Sequence, residues 1–309
     1  MDGEALVYQL EKVLQEGSTS TFMDDRTSYD YLYKAAVKTV EATKCLTSAQ
    51  TITTVADQTS YDLEADFLSL YITDTFNQHV VKLNDGSSDY WITMRPYEAV
   101  YYSNNSTSVG IPWNFSIRDK QTLTARITGS ATSDGASSNG ECTLTDSAAP
   151  FTYAKAGDQV HNTTDSSHGV VLSVTSTSAL VTALFGGTNN YWTSSDGYAV
   201  VPAGRRQIIL DPPPSTAGYS LYVPYIQKPA PVYSPYSTYR FDRDYDMAIV
   251  YYAAWLYKYR DREPSFGDAF YKYWRTEIGD VKNREDNAKN KHSFRVNMKK
   301  RSYGDRSYR

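Results

Sequence analysis

The side chains able to carry acid–base, metal or nucleophilic chemistry are few and widely spread. His79, His161, His168 and His292 lie scattered over 309 residues, without an H-E-x-x-H pattern or a His–Cys grouping. This spacing predicts surface imidazoles rather than a metal site. Asp158, Asp165 and Asp196 are the best candidates for a carboxylate or Ca²⁺ cluster, but each stands beside Gly, Ser or Thr. In that setting Asp commonly closes an Asx turn, so turn chemistry is the reading adopted. Asp62 and Asp66 read as strand-end decoration. No G-x-S-x-G, phosphate-binding glycine loop or G-x-G-x-x-G stands in a strand–helix context. The expectation is a protein that is not an enzyme, with no catalytic residues, no metal and no cofactor.

The C-terminal segment can do a different kind of work. From Lys282 to Arg309 there are ten Lys/Arg and three Asp/Glu, a local +7, so with −4 overall residues 1–281 carry −11. Arg295, Lys299, Lys300, Arg301, Arg306 and Arg309 alternate with the apolar anchors Phe294, Val296, Met298 and Tyr303. Such a tail can meet phosphates in a sequence-blind, salt-sensitive way. It can also dock into an acidic protein groove, its anchors filling pockets as it folds on binding, or remain a solvated terminus.

The elements that must position this chemistry are legible from periodicity. Glu4 to Glu16 reads as a helix with Leu6, Leu10, Val13 and Leu14 on one face, stopped by Gly17. A second helix is expected from Tyr29 to Leu46, capped by Ser28, with Leu32, Ala36, Val40 and Thr39 or Thr43 inward. Strands follow at 51–55, 59–63, 66–72, 80–83 and 90–93, the last two around the turn Asn84-Asp85-Gly86. A short helix with Pro96 near its start leads to another strand at 113–117. Arg206–Asp211 and Tyr219–Ile226 flank a proline-rich loop and are expected to form a hairpin. Pro229 and Pro231 then end the sheet. Between Met247 and Tyr257 the next helix is apolar or aromatic around its whole circumference, beyond the single stripe that one buried face needs. Met247, Val250, Tyr251, Ala254, Trp255 and Tyr257 are therefore expected to meet a neighbouring subunit. Ser265 to Lys282 forms a last helix with Phe266, Phe270, Tyr273, Trp274 and Ile278 on one face.

Residues 121–204 differ in texture. Of these 84 residues 39 are Ser, Thr, Gly or Asn, and only Arg126 and Lys155 are basic. Short alternating runs separated by turn clusters predict a small barrel or sandwich. The strands on either side would pair if this stretch were removed, which marks an insertion at a loop tip. The resulting expectation is an α+β fold: a helical-bundle core with antiparallel β-hairpins, an inserted small all-β domain and an extended C-terminal tail. Its divisions are a discontinuous core of residues 1–120 and 205–281, the insert 121–204 and the basic tail 282–309.

The order of elements also carries a resemblance. Gly204-Arg205-Arg206-Gln207-Ile208-Ile209-Leu210-Asp211-Pro212, Tyr222-Val223-Pro224-Tyr225-Ile226-Gln227-Lys228-Pro229-Ala230-Pro231 and the Tyr/Ala helix after them resemble the head-to-tail adaptor proteins of tailed bacteriophages. Tyr61-Asp62-Leu63-Glu64-Ala65-Asp66-Phe67-Leu68, after two helices and a Thr/Val-rich strand, fits the same family. The resemblance implies a structural virion protein of the neck: a ring of twelve copies beneath the portal protein, with contacts to the tail or other neck proteins. It also implies that Phe294, Arg295, Val296, Met298, Lys299, Lys300, Arg301, Tyr303 and Arg306 dock on the portal. An acidic body lining a channel would let genomic DNA slide past without sequence specificity.

Composition agrees with an interface protein. Aromatics reach 14%, with 28 Tyr, whose large faces and polar tips suit wet interfaces, although Tyr is also a good strand former. Cys45 and Cys142 fall in different divisions and suggest no disulfide. With no signal peptide and no membrane-length apolar run, synthesis in the host cytoplasm is expected. The rival expectation is a receptor- or glycan-binding virion protein, acting through Tyr191, Trp192 and Tyr198 of the insert.

Overall fold

The computed structural model describes residues 1–15, 24–72, 80–104, 108–120, 125–135, 137, 140–240, 242–260 and 264–290. Two helices open the chain, α1 (Gly3–Leu14) and α2 (Asp25–Thr43). Asp2 caps α1 by accepting the Ala5 N–H at 2.9 Å, and Leu6, Leu10 and Leu14 form its buried stripe. Asp24, not Ser28, caps α2: its carboxylate accepts the Thr27 N–H at 2.7 Å, and the helix starts four residues before the expected Tyr29. Ser28 is buried inside the first turn, its hydroxyl donating to the Asp24 carbonyl.

Five strands follow: β1 (Thr47–Thr53), β2 (Ser60–Asp62), β3 (Phe67–Leu70), β4 (Val81–Asn84) and β5 (Asp89–Met94). Helix α3 (Tyr97–Asn104) leads into β6 (Asn114–Asp119). The next six strands are β7 (Ile127–Ser130), β8 (Cys142–Thr145), β9 (Gln159–Asn162), β10 (Ser167–Ser176), β11 (Ala179–Phe185) and β12 (Gly197–Val201). The chain closes with β13 (Arg206–Asp211), β14 (Ser220–Gln227), α4 (Asp246–Arg260) and α5 (Pro264–Asn290).

These strands correct the expected fold class. The core is not a helical bundle: the protein is mostly β, with an eight-stranded sheet in the order β1-β14-β4-β5-β6-β13-β2, β3 pairing β14 at the side. A second, six-stranded sheet runs β7-β12-β9-β10-β11-β8. The inward side chains of the first sheet, among them Leu83, Ile92, Phe115, Ile208, Leu210 and Val223, form an apolar core of their own. Its edges curl toward each other, where the Gln50 amide bonds the Asp62 carbonyl at 3.2 Å and the Glu64 N–H at 3.1 Å. Helices α1, α2, α4 and α5 share a separate apolar cluster beside it. The strong helical periodicity of these segments led the expectation, while the shorter strands owe their sheet to long-range partners.

Two further corrections concern pairing. β13 and β14 are not a hairpin: β13 pairs β2 and β6, whereas β14 pairs β1, β3 and β4. The Pro212–Ser215 segment crosses the end of the sheet instead, its carbonyls accepting from Asp57 and Gly110 at 2.9 Å each. β5 and β6 run parallel, so the sheet is mixed. All six strands of the second sheet lie in sequence between β6 and β13, which pair antiparallel from Arg206↔Asp119 to Asp211↔Asn114. The chain leaves at Lys120 and returns at Arg205, the Lys120 N–H donating to the Arg205 carbonyl at 2.7 Å.

Candidate functional site

The surface with the strongest claim to function is built by α4 and α5. Pro264 opens α5 after α4, and the two helices pack against each other and against α2. Their seam is a chain of rings: Tyr252 lies 4.9 Å from both Trp255 and Trp274, and Tyr271 lies 5.2 Å from both tryptophans. Trp274 also donates its indole N–H to the Thr39 hydroxyl at 3.3 Å, which pins α5 to α2. Offset and tilted ring pairs of this kind add to the stabilisation from burial.

Much of the apolar circumference of α4 is covered within the chain. Among the residues expected at a subunit contact, Val250, Ala254 and Tyr257 are buried against α1, α2 and α5, while Met247, Tyr251 and Trp255 are half-buried. The outer surface is supplied by residues the periodicity placed inward. Phe266 is 66% and Tyr273 54% exposed, with Tyr259 beside them on α4. Of the expected face Trp274 and Ile278 do point inward, joined by Val281. Tyr273 lies 5.5 Å from Tyr251, and Gly267 lets the Tyr259 ring lie against α5, since a Cβ there would sit 3.2 Å from it. The result is an outward aromatic surface continuous from α4 to α5. The expected portal-docking residues Phe294, Arg295, Val296, Met298, Lys299, Lys300, Arg301, Tyr303 and Arg306 lie outside the described residues.

A second exposed surface is the groove between α1, α2 and Pro235–Tyr236. Asp2, Glu4, Glu11 and Asp25 line it with Tyr8, Tyr29 and Tyr236. Burial, and after it the charges of Asp25, Glu4 and Asp2, pushes the Tyr29 hydroxyl up to about 12.

The aromatic set assigned to sugar stacking is corrected by burial. Trp192 is fully buried, its indole N–H donating to the Thr182 hydroxyl at 2.9 Å, and Tyr198 is buried with its hydroxyl on Asp146. Both belong to the core of the second sheet, because alternation along β12 and the turn before it points them inward; only Tyr191 reaches solvent.

The carboxylates of the second sheet are engaged locally. Asp158 accepts the Lys155 and Ala203 N–H groups at 2.8 Å each. Asp196 accepts the Thr193 N–H at 2.8 Å and the Asn162 amide at 3.0 Å, and Asn162 and Asn189 donate to Asp165 at 3.3 and 3.4 Å. Among the described residues no group of three or more His, Cys, Asp or Glu side chains converges as a metal site. The histidines are less scattered than their spacing suggests. His161 and His168 sit opposite each other on β9 and β10, their Nδ1 atoms 2.5 Å apart. The turn chemistry of Asn162–Ser167 was the signal for that pairing, since a hairpin turn there brings i and i+7 together. His79 and His292 lie outside the described residues. Burial pushes the Cys142 thiol up to about 11, which makes it an inert core group.

No protein-family model matches the chain, and no curated protein matches it. Among the described residues no helix is long and apolar enough to cross a membrane.

Proposed function

We propose that the protein is a structural component of a tailed-phage virion, a head-to-tail adaptor whose copies form a ring below the portal. The sequence resemblance over residues 204–231 and 61–68 motivates this reading. The observation that carries it further is the outward aromatic surface of α4 and α5, with Tyr259, Phe266 and Tyr273 exposed together. Clustered exposed aromatics mark protein contacts rather than free surface. In the ring this surface meets the adjacent subunit, and the twelve copies are what the resemblance implies. The basic segment 282–309 reaches the portal, its cations and interleaved anchors docking on protein. The acidic groove of α1 and α2 belongs to a body of net charge −11 over residues 1–281, which repels the phosphates of passing DNA. The remaining surfaces of the first sheet meet the tail or other neck proteins, and the second sheet decorates the outside. Its place is the virion neck, and the chemistry is assembly rather than catalysis.

Mass photometry of the full chain and of a truncation after Asn290, each with and without the portal protein, tests this. Because α5 continues to Asn290, that end point leaves the helix whole. The expected result is a many-copy complex of full-length protein with portal that the truncation fails to form. A monomer that ignores portal in both forms overturns the reading.

A further inference from the structure

A cleft of about 270 Å³ lies where the two sheets and α2 meet, walled on one side by the small residues Gly157, Ala203 and Gly204. Two carboxylates, Asp66 and Asp158, and three cations, Arg205, Lys228 and Arg240, line it. Both carboxylates are already engaged. Asp158 is buried and takes two backbone N–H groups, with the Arg205 guanidinium 3.8 Å away. Asp66 accepts the Tyr225 hydroxyl at 3.0 Å and the Gln227 amide at 2.6 Å. Arg205 spends one further N–H on the Tyr153 carbonyl at 2.7 Å.

Among the described residues Lys228 and Arg240 make no ion pair. Lys228 is half-buried, and burial together with the Arg206 charge pulls its ammonium below the ordinary lysine value, with Asp66 opposing only in part. A desolvated ammonium short of counter-charge, facing a cavity with two guanidinium groups, is an incomplete electrostatic arrangement. An anion completes it through charge-assisted hydrogen bonds, which arginine forks and lysine ammonium groups both give to oxyanions.

We propose that this cleft binds a small oxyanion of the phosphate class. At about 270 Å³ it falls just below the range typical of drug-sized ligands, roughly 300–1,000 Å³, and suits a compact anion. Its cations lie on the first sheet's side of the junction. Lys228 follows β14, Arg205 precedes β13 and Arg240 lies between β14 and α4, while the opposite wall at Gly157 and Asp158 is the turn that leads into β9 of the second sheet. A bound anion therefore sits where the two sheets meet, held from the first sheet's side. This site goes beyond the adaptor reading and stands or falls separately from it.

The test is calorimetric titration and thermal melting of the full chain with inorganic phosphate, ionic strength held constant with NaCl. Wild type is expected to bind one phosphate per chain, and to melt at a temperature that rises with phosphate as the site fills. Lys228→Met and Arg240→Gln are each expected to weaken binding at least tenfold, while Lys34→Met, an exposed lysine on α2, leaves it unchanged. If Lys228→Met fails to fold, Arg240→Gln carries the test. No saturable binding, or equal binding by wild type and the folded variants, overturns the proposal. So does a Lys228-dependent response to a short duplex DNA with none to phosphate.

Discussion

The two sheets of this protein are assembled by opposite routes. The six strands of the second follow one another between Ile127 and Val201, and every partner is drawn from that stretch. The first takes β1 to β6 from the N-terminal part of the chain and completes itself with β13 and β14, more than eighty residues further on. β14 pairs with three strands and β13 with two, so neither half of this sheet closes without the other. The lesson is that local sequence texture and strand pairing coincide in the second sheet and come apart in the first.

The largest effect that sharpens this contrast comes from cutting the chain. Residues 125–204 expressed alone are expected to give β circular dichroism and a cooperative melt. Residues 1–120 alone are expected to stay unfolded, since β4 loses β14, β6 loses β13 and α2 loses α4. If the N-terminal fragment folds and the 125–204 fragment does not, the contrast is reversed.

Next in size is the placement of two tryptophans. Trp192 fills the centre of the second sheet's core and bonds Thr182, so Trp192→Ala is expected to cost about 3–5 kcal/mol. Trp91 projects from the outer face of the first sheet in a row with Lys82 and Tyr222, and is 57% exposed. For Trp91→Ala the expected change is within about 0.5 kcal/mol. Urea unfolding of the full chain measures both. A smaller effect is expected at the seam between the second sheet and α2, where Tyr29, Val170, Ala183 and Tyr233 pack together and the Tyr233 hydroxyl donates to Asp30 at 2.6 Å. Asp30 retains access to water, so Tyr233→Phe is expected to cost about 0.5–1.5 kcal/mol.

What the sequence disclosed follows the same division. Helix stripes such as Leu6, Leu10 and Leu14 were readable because helical packing repeats over a few residues. The turn at Asn84-Asp85-Gly86 was readable because Asp85 accepts the Ser87 and Ser88 N–H groups locally, at 2.8 and 2.7 Å. The partners of β13 and β14 were not, because nothing in Ile208 or Val223 says which distant strand will face it. In the candidate site, the aromatic richness of α4 was plain. Which rings face outward was not, since Phe266 and Tyr273 share a helical face with Trp274 only loosely, and the neighbouring helix decides between them. The anion cleft draws on Asp66, Asp158, Arg205, Lys228 and Arg240, and no spacing unites them.

The smallest effects separate the sheets by the sign of a pH dependence. In the second sheet, burial pushes the Asp158 carboxyl above its ordinary value of 3.8, and the hydrogen bonds from Ala203 and Lys155 only partly offset it. The folded state therefore holds this proton more tightly than the unfolded chain does, and stability falls as pH rises from about 3.8 through the raised folded value. In the first sheet burial also acts on Asp62, but the Lys120 ammonium at 2.7 Å and the Gln207 amide at 2.8 Å outweigh it and hold that carboxyl below 3.8. Its contribution is present above 3.8 and is lost as pH falls through the lowered folded value. Subtracting the stability of Asp158→Asn from that of wild type across acidic pH should give a difference that declines as pH rises. The same subtraction for Asp62→Asn should give one that increases. Asp62 is about half exposed, so its slope is the shallower of the two. Two differences of the same sign would show that the two carboxylates do not differ as the geometry requires.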